Sequence, residues 1–176
     1  MNVSIRYAKA LFQIAKQQNK IDQFMQELDS VRQLFSQDKL LKNFFLDQLA
    51  DKIRKINVLS VVSDKLNLSK EVVNLIKLLI IGGREQILND IIISYVGMHD
   101  DYKGLIKADV YTAYDMTPTE MNALKTRIKD LFHKEPIITI NKDSSIIGGV
   151  RLKVGWTIYD GTIKTHLKDF TNSIKI

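Results

Sequence analysis

In the run Ile106-Lys107-Ala108-Asp109-Val110-Tyr111-Thr112, apolar or small residues occupy every second position, with Lys107, Asp109 and Tyr111 between them. A strand turns successive side chains to opposite faces, so this alternation predicts a strand with one buried side. Nothing upstream reads that way. Before this run proline is absent, and glycine occurs only at 82, 83, 97 and 104. Apolar residues there recur at three- and four-residue steps, most clearly Ile21, Phe24, Met25, Leu28, Val31, Leu34 and Phe35, which predicts helices. One helix opens the chain. Others are expected at 40–46, at about 50–62 with Ile53, Ile56 and Leu59 inward, at 70–81, and from about Arg84 with Ile87, Leu88, Ile91 and Tyr95 on one face. Ser69 suits an N-cap, with Leu68 and Val73 as a staple, and Gly82-Gly83 suits a left-handed stop. Short connections between successive helices make a compact antiparallel bundle.

Downstream, Thr117-Pro118-Thr119-Glu120 combines an N-cap, proline at the first helical position and a capping-box acid. The helix it starts is expected to carry Met121, Leu124, Ile128 and Leu131 inward. Strands follow at 137–140 and 150–154, and Gly155-Trp156 suits a two-residue turn returning through 157–159. That register pairs Val154 with Thr157 and leaves Ile158 on the face of Arg151 and Lys153. Either something covers that face or the turn is longer. Ile163, Leu167, Phe170 and Ile174 mark a closing amphipathic helix. The fold class is therefore α+β: an N-terminal six-helix bundle over 1–104, then a small C-terminal α+β domain over 105–176.

Composition narrows the function classes. A hydrophobic share of 45% and a charged share of 26% in 176 residues exclude a disordered chain. No cysteine is present, which removes disulfides, thiolate metal sites and cysteine nucleophiles. The longest apolar run is Leu78 to Ile81, far too short to span a bilayer. Basic residues outnumber acidic ones 26 to 20, but they are scattered. A nucleic-acid-binding module is the alternative class, although such a module more often shows a basic stripe beside exposed aromatics. The acid-free start before Asp22 resembles a mitochondrial presequence, yet it has one Arg, one Ser and no break after it. It is read as part of the mature fold, in a protein facing the cytosol.

No constellation for catalysis emerges, so no enzyme activity, cofactor or metal is expected. His99, Asp100 and Asp101 are adjacent on a helix and point in different directions. His133 and His166 stand in no triad pattern. Gly82-Gly83-Arg84 and Gly148-Gly149 lack the context of a phosphate loop and read as turns or close backbone approaches.

Two helices instead carry surplus apolar surface. In the first, Val3, Tyr7, Ala10 and Ile14 form one edge, Ala8, Leu11 and Ala15 the middle, and Ile5 and Phe12 the other edge. That arc is roughly 220° wide, where one buried face needs somewhat over about 100°. In the helix at 70–81 only Lys70, Asn74 and Lys77 leave a polar strip. Either both helices are buried on two sides, or the extra stripe forms a groove for a partner's amphipathic helix.

Three segments carry a resemblance. They are Arg6-Tyr7-Ala8-Lys9-Ala10-Leu11-Phe12, the stretch from Asn74-Leu75-Ile76 to Gly83-Arg84, and Ile146-Ile147-Gly148-Gly149-Val150-Arg151 through Val154-Gly155 to Asp160-Gly161-Thr162. Together they resemble the delta subunits of F-type ATP synthase, the family of the oligomycin-sensitivity-conferring protein. The resemblance implies a non-catalytic stator subunit without cofactors, linking the catalytic F1 head to the peripheral stalk and Fo while resisting rotor torque. It implies that the helical domain holds the N-terminal helix of an alpha subunit between its first and fifth helices, with Tyr7, Ala10, Ile14, Asn74 and Leu78 as groove residues. The C-terminal domain is implied to hold the b subunits through Gly148, Gly149, Ile163, Leu167 and Phe170. Membrane association would be indirect, at the cytoplasmic face of a bacterial plasma membrane, with no nucleic-acid partner.

Overall fold

The computed structural model describes residues 3–155 and 157–165, and the chain divides between His99 and Asp100 into two compact units. The division falls about one helical turn before the expected Lys103-Gly104. Asp100 and Asp101, in the last turn of the sixth helix, fall in the second unit and pair there with Lys107 at 2.9 Å and Lys134 at 2.8 Å.

The first unit contains α1 (Val3–Gln17), α2 (Ile21–Gln37), α3 (Lys39–Leu46), α4 (Lys52–Leu66) and α5 (Lys70–Ile81). A 3₁₀ turn (Glu85–Ile87) then leads into α6 (Leu88–Tyr102). Apolar faces at helical spacing converge on one core that includes Leu11, Phe24, Leu28, Leu59, Leu79 and Ile91. Phe12 meets Tyr95 edge-on, and the buried Tyr95 hydroxyl donates to the Ile21 carbonyl at 3.1 Å, so no polar atom is stranded there.

The ends of α5 are set by two different devices. Gly83, at φ 62°, lets its N–H reach the Ile80 carbonyl while the Arg84 N–H reaches that of Leu79, a Schellman stop. At the start, Ser69 stands in the N-cap position, but its hydroxyl caps nothing on its own helix. It donates instead to Glu27 on α2, whose carboxylate also accepts the Ser69 N–H at 2.8 Å. A carboxylate from a neighbouring helix thus occupies the positive end of α5.

In α4 the inward positions differ from expectation. Leu59 is buried and Ile56 half-buried, but Ile53 faces solvent. Lys55 takes the inward place, 2% exposed, with its Nζ 2.6 Å from Glu85 Oε1. A buried Glu85 across the bundle makes the burial of a lysine tolerable, and periodicity counted only apolar residues.

In the second unit, β1 (Leu105–Thr112), α7 (Pro118–Phe132) and β2 (Glu135–Lys142) form a parallel crossover. The strands β3 (Gly149–Val154) and β4 (Thr157–Thr162) complete a sheet of order β2-β1-β3-β4. Ala108, Val110, Leu152 and Ile128 of α7 form its core. Pro136 lies within β2, which is tolerable because β2 is an edge. Thr117 and Glu120 form the full capping box. Leu131, expected inward, is exposed, and Phe132 packs on the core instead. Four residues on from Ile128, Phe132 continues its row until His133, at φ 54°, ends the helix. The hairpin pairs Val154 with Thr157 and Lys153 with Ile158, so the turn is short, and Ile158 lies open on the charged face.

Candidate partner-docking faces

The surplus apolar edges of α1 and α5 remain open. Ala8, Leu11 and Ala15 are buried, while Ile14 is 38% and Leu78 57% exposed. Ala10 and Asn74 are exposed and Tyr7 is half-buried. The two helices pack directly together and are joined at both ends. Gln18 Nε2 donates to Glu71 Oε1 at 2.9 Å, and Arg84 Nη1 donates to the Tyr7 hydroxyl at 3.3 Å. The first pairing joins the end of α1 to the start of α5, and the second joins the start of α1 to the residues after α5. The helices are therefore antiparallel, and Ala10, Ile14, Asn74 and Leu78 fall between the two joins.

The result is an exposed apolar strip along the two helices. Val3 and Ile81, both exposed, extend it beyond the five groove residues. A cleft of about 380 Å³ lies elsewhere, lined by Arg32, Phe35, Leu46, Leu88 and Ile92. A strip suits a rod laid along it, whereas an enclosed cavity suits a small molecule.

On the second unit, Gly148 and Ile163 meet. The Ile163 N–H donates to the Gly148 carbonyl at 3.0 Å, and a Cβ on Gly148 would stand 2.6 Å from Ile163 Cδ1. Gly149, at φ 83°, faces the Gly161 carbonyl so closely that no Cβ fits. These glycines let the start of β3 and the end of β4 approach and leave Ile163 half-exposed at the surface. Ile147, just before Gly148, is largely exposed as well. Leu167 and Phe170 lie outside the described residues, as do His166 and Ile174.

One cation of the hairpin is held between two carboxylates. Arg151 lies between Asp160 at 3.3 Å and Asp143 at 3.6 Å. Hydrogen bonds from Thr162, side chain first and then backbone N–H, hold the Asp160 carboxyl down at about 2. Ser145 does the same for Asp143, which sits below its ordinary value.

Among the described residues no three acidic or histidine groups are placed to hold a metal ion, and no helix is long and apolar enough to cross a membrane. His99 pairs with Asp22 at 3.0 Å while Asp100 and Asp101 turn to lysines, so the polar trio is dispersed. Arg32, Lys107, Lys129, Lys134, Lys142 and Arg151 each meet a carboxylate.

Known proteins share this fold. Over 98% of this chain and 97% of the other, the fold matches a chain in the mitochondrial ATP synthase hexamer of Toxoplasma gondii, with a TM-score of 0.75 at 20% identity. A chain of the Polytomella F-ATP synthase matches 58% of this chain over 90% of its own length, with a TM-score of 0.54 at 22% identity. The ATP synthase subunit delta of Oceanobacillus iheyensis is 33% identical over 98% of this chain and 94% of its own. That of Desulforapulum autotrophicum is 30% identical over 99% and 96%. The family model for the ATP synthase delta (OSCP) subunit matches residues 3–174. By fold, by relatives along the whole chain and by that match, the chain belongs to the ATP synthase delta (OSCP) subunit family.

Proposed function

We propose that the chain acts as a two-ended tether within the stator that links the F1 head to the peripheral stalk. Its helical unit grips the N-terminal helix of an alpha subunit along α1 and α5, through Tyr7, Ala10, Ile14, Asn74 and Leu78. Its α+β unit holds the b subunits on the face that carries Gly148, Gly149 and Ile163, with Leu167 and Phe170 in the segment beyond. The chain makes no ATP itself and binds no cofactor. It sits peripherally at the cytoplasmic face of a bacterial plasma membrane, held there by the complex.

The mechanism is mechanical. A turning central stalk exerts torque on the catalytic hexamer, which would rotate with it unless tied to the membrane sector. Such a tie must dissociate slowly compared with turnover. Desolvated apolar anchors give slow dissociation, and exposed ion pairs contribute little. The observation that carries the reading is the exposed apolar strip fixed at both ends on two packed helices.

Leu78→Asp tests it cleanly, because Leu78 is largely exposed and its loss leaves the core intact. Docking would bury an unpaired carboxylate, which weakens binding by about 2 kcal/mol or more. Titration of a labelled alpha N-terminal peptide against wild type and variant reads the effect. Equal affinities in two equally folded proteins would remove the strip from the docking site.

A further inference from the structure

Given the reading of α1 and α5 as a helix-docking face, we infer that this face selects its partner by charge and length, taking an amphipathic helix of about three turns with acidic flanks.

Length follows from the two polar joins. From Tyr7 to Gln18, α1 advances about 17 Å at about 1.5 Å per residue. Within that span the strip exposes Ala10 and Ile14 on one helix and Leu78 on the other, with Asn74 its one polar member. At one limit lies the Gln18–Glu71 pair and at the other the Arg84–Tyr7 pair, both spending their polar atoms on each other. A fourth turn of a docked helix crosses one of these polar joins and gains at most the exposed Val3, one turn beyond Tyr7.

Charge follows from what flanks the strip. α1 contains no acidic residue, and Glu71 is the one acid of α5. Glu71 already accepts from Gln18, and that hydrogen bond, then its own backbone and finally Lys20 and Lys70 keep its carboxyl below the ordinary value. Helical spacing sets Arg6 beside Ala10 on α1, and Lys70 and Lys77 beside the Asn74 and Ile81 edge of α5. Arg84 stands at the far end. A partner laid along the strip therefore runs between basic rims that carry Arg6, Lys70, Lys77 and Arg84 against one carboxylate, Glu71, which is already hydrogen-bonded to Gln18. Glu or Asp on its flanks meets opposite charge, and Lys or Arg there meets like charge.

The test titrates the full chain with two synthetic three-turn helices that share one apolar stripe, one flanked by Glu and the other by Lys. The Glu-flanked peptide is expected to bind about tenfold tighter or more at low ionic strength, and the gap should close as salt rises. Replacing Lys70→Glu and Lys77→Glu together should reverse the order. Equal affinities at low salt would overturn the charge inference while leaving the strip as a docking face. If neither peptide binds but the native alpha peptide does, the inference also falls. If no peptide binds, the docking reading falls with it. A four-turn Glu-flanked peptide that binds more than about tenfold tighter than the three-turn one would overturn the length limit.

Discussion

Lys55 and Glu85 form a charged pair beneath the surface of the helical unit, and their energetics differ from those of the many exposed pairs. Breaking a buried pair by removing one partner leaves an uncompensated charge and costs about 3–5 kcal/mol. Lys55→Met is therefore expected to lower the thermal midpoint markedly. Adding Glu85→Leu should restore much of it, and thermal melts of the single and double variants measure both. Asp160 gives a pH dependence. Its folded value near 2 lies below that of an unfolded aspartate, so its contribution is complete above the unfolded value and is lost as pH falls towards 2. Asp160→Asn is expected to flatten the acid limb of stability between about pH 4 and pH 2, read by circular dichroism. The Lys55–Glu85 pair could not be read from the sequence, because its members lie 30 residues apart and are joined only by the packing of the bundle.

At the scale of elements, legibility tracked how local the cause was. The α7 start was legible because all its capping groups lie between Thr117 and Glu120. The α5 stop was legible in Gly82-Gly83 for the same reason. The α5 start was only half legible: Ser69 marked the place, but Glu27 on another helix does the capping. Leu131 and Ile53 were misplaced because periodicity assigns a face only to within a residue, and tertiary packing decides between neighbours. The glycines of the hairpin were legible as close approaches but not their contacts. Gly149→Ala is expected to destabilise the α+β unit, since it adds both a positive-φ strain and a clash with the Gly161 carbonyl. Gly155→Ala, also at positive φ but with open space around its Cβ, should cost less. Thermal melts of the two variants compare them directly.

For the whole molecule, the two units have separate cores, and each core is local in sequence. Residues 1–104 alone are therefore expected to fold cooperatively and to bind the alpha peptide as the full chain does. Near-UV circular dichroism and calorimetry check the first point and titration the second. The sequence displayed the excess of apolar surface on α1 and α5, but not whether this chain covers it. The antiparallel contact of the helices, with Ile14 and Leu78 left open, supplies that answer. The most direct measurement uses the absence of native cysteine. Single variants Ala10→Cys, Leu78→Cys and, as an exposed control on α4, Val61→Cys are labelled with a photocrosslinker and assembled into the complex. The account predicts adducts with the alpha subunit from positions 10 and 78 and none from 61. Alpha adducts from position 61 alone, in a fully assembled complex, would contradict it.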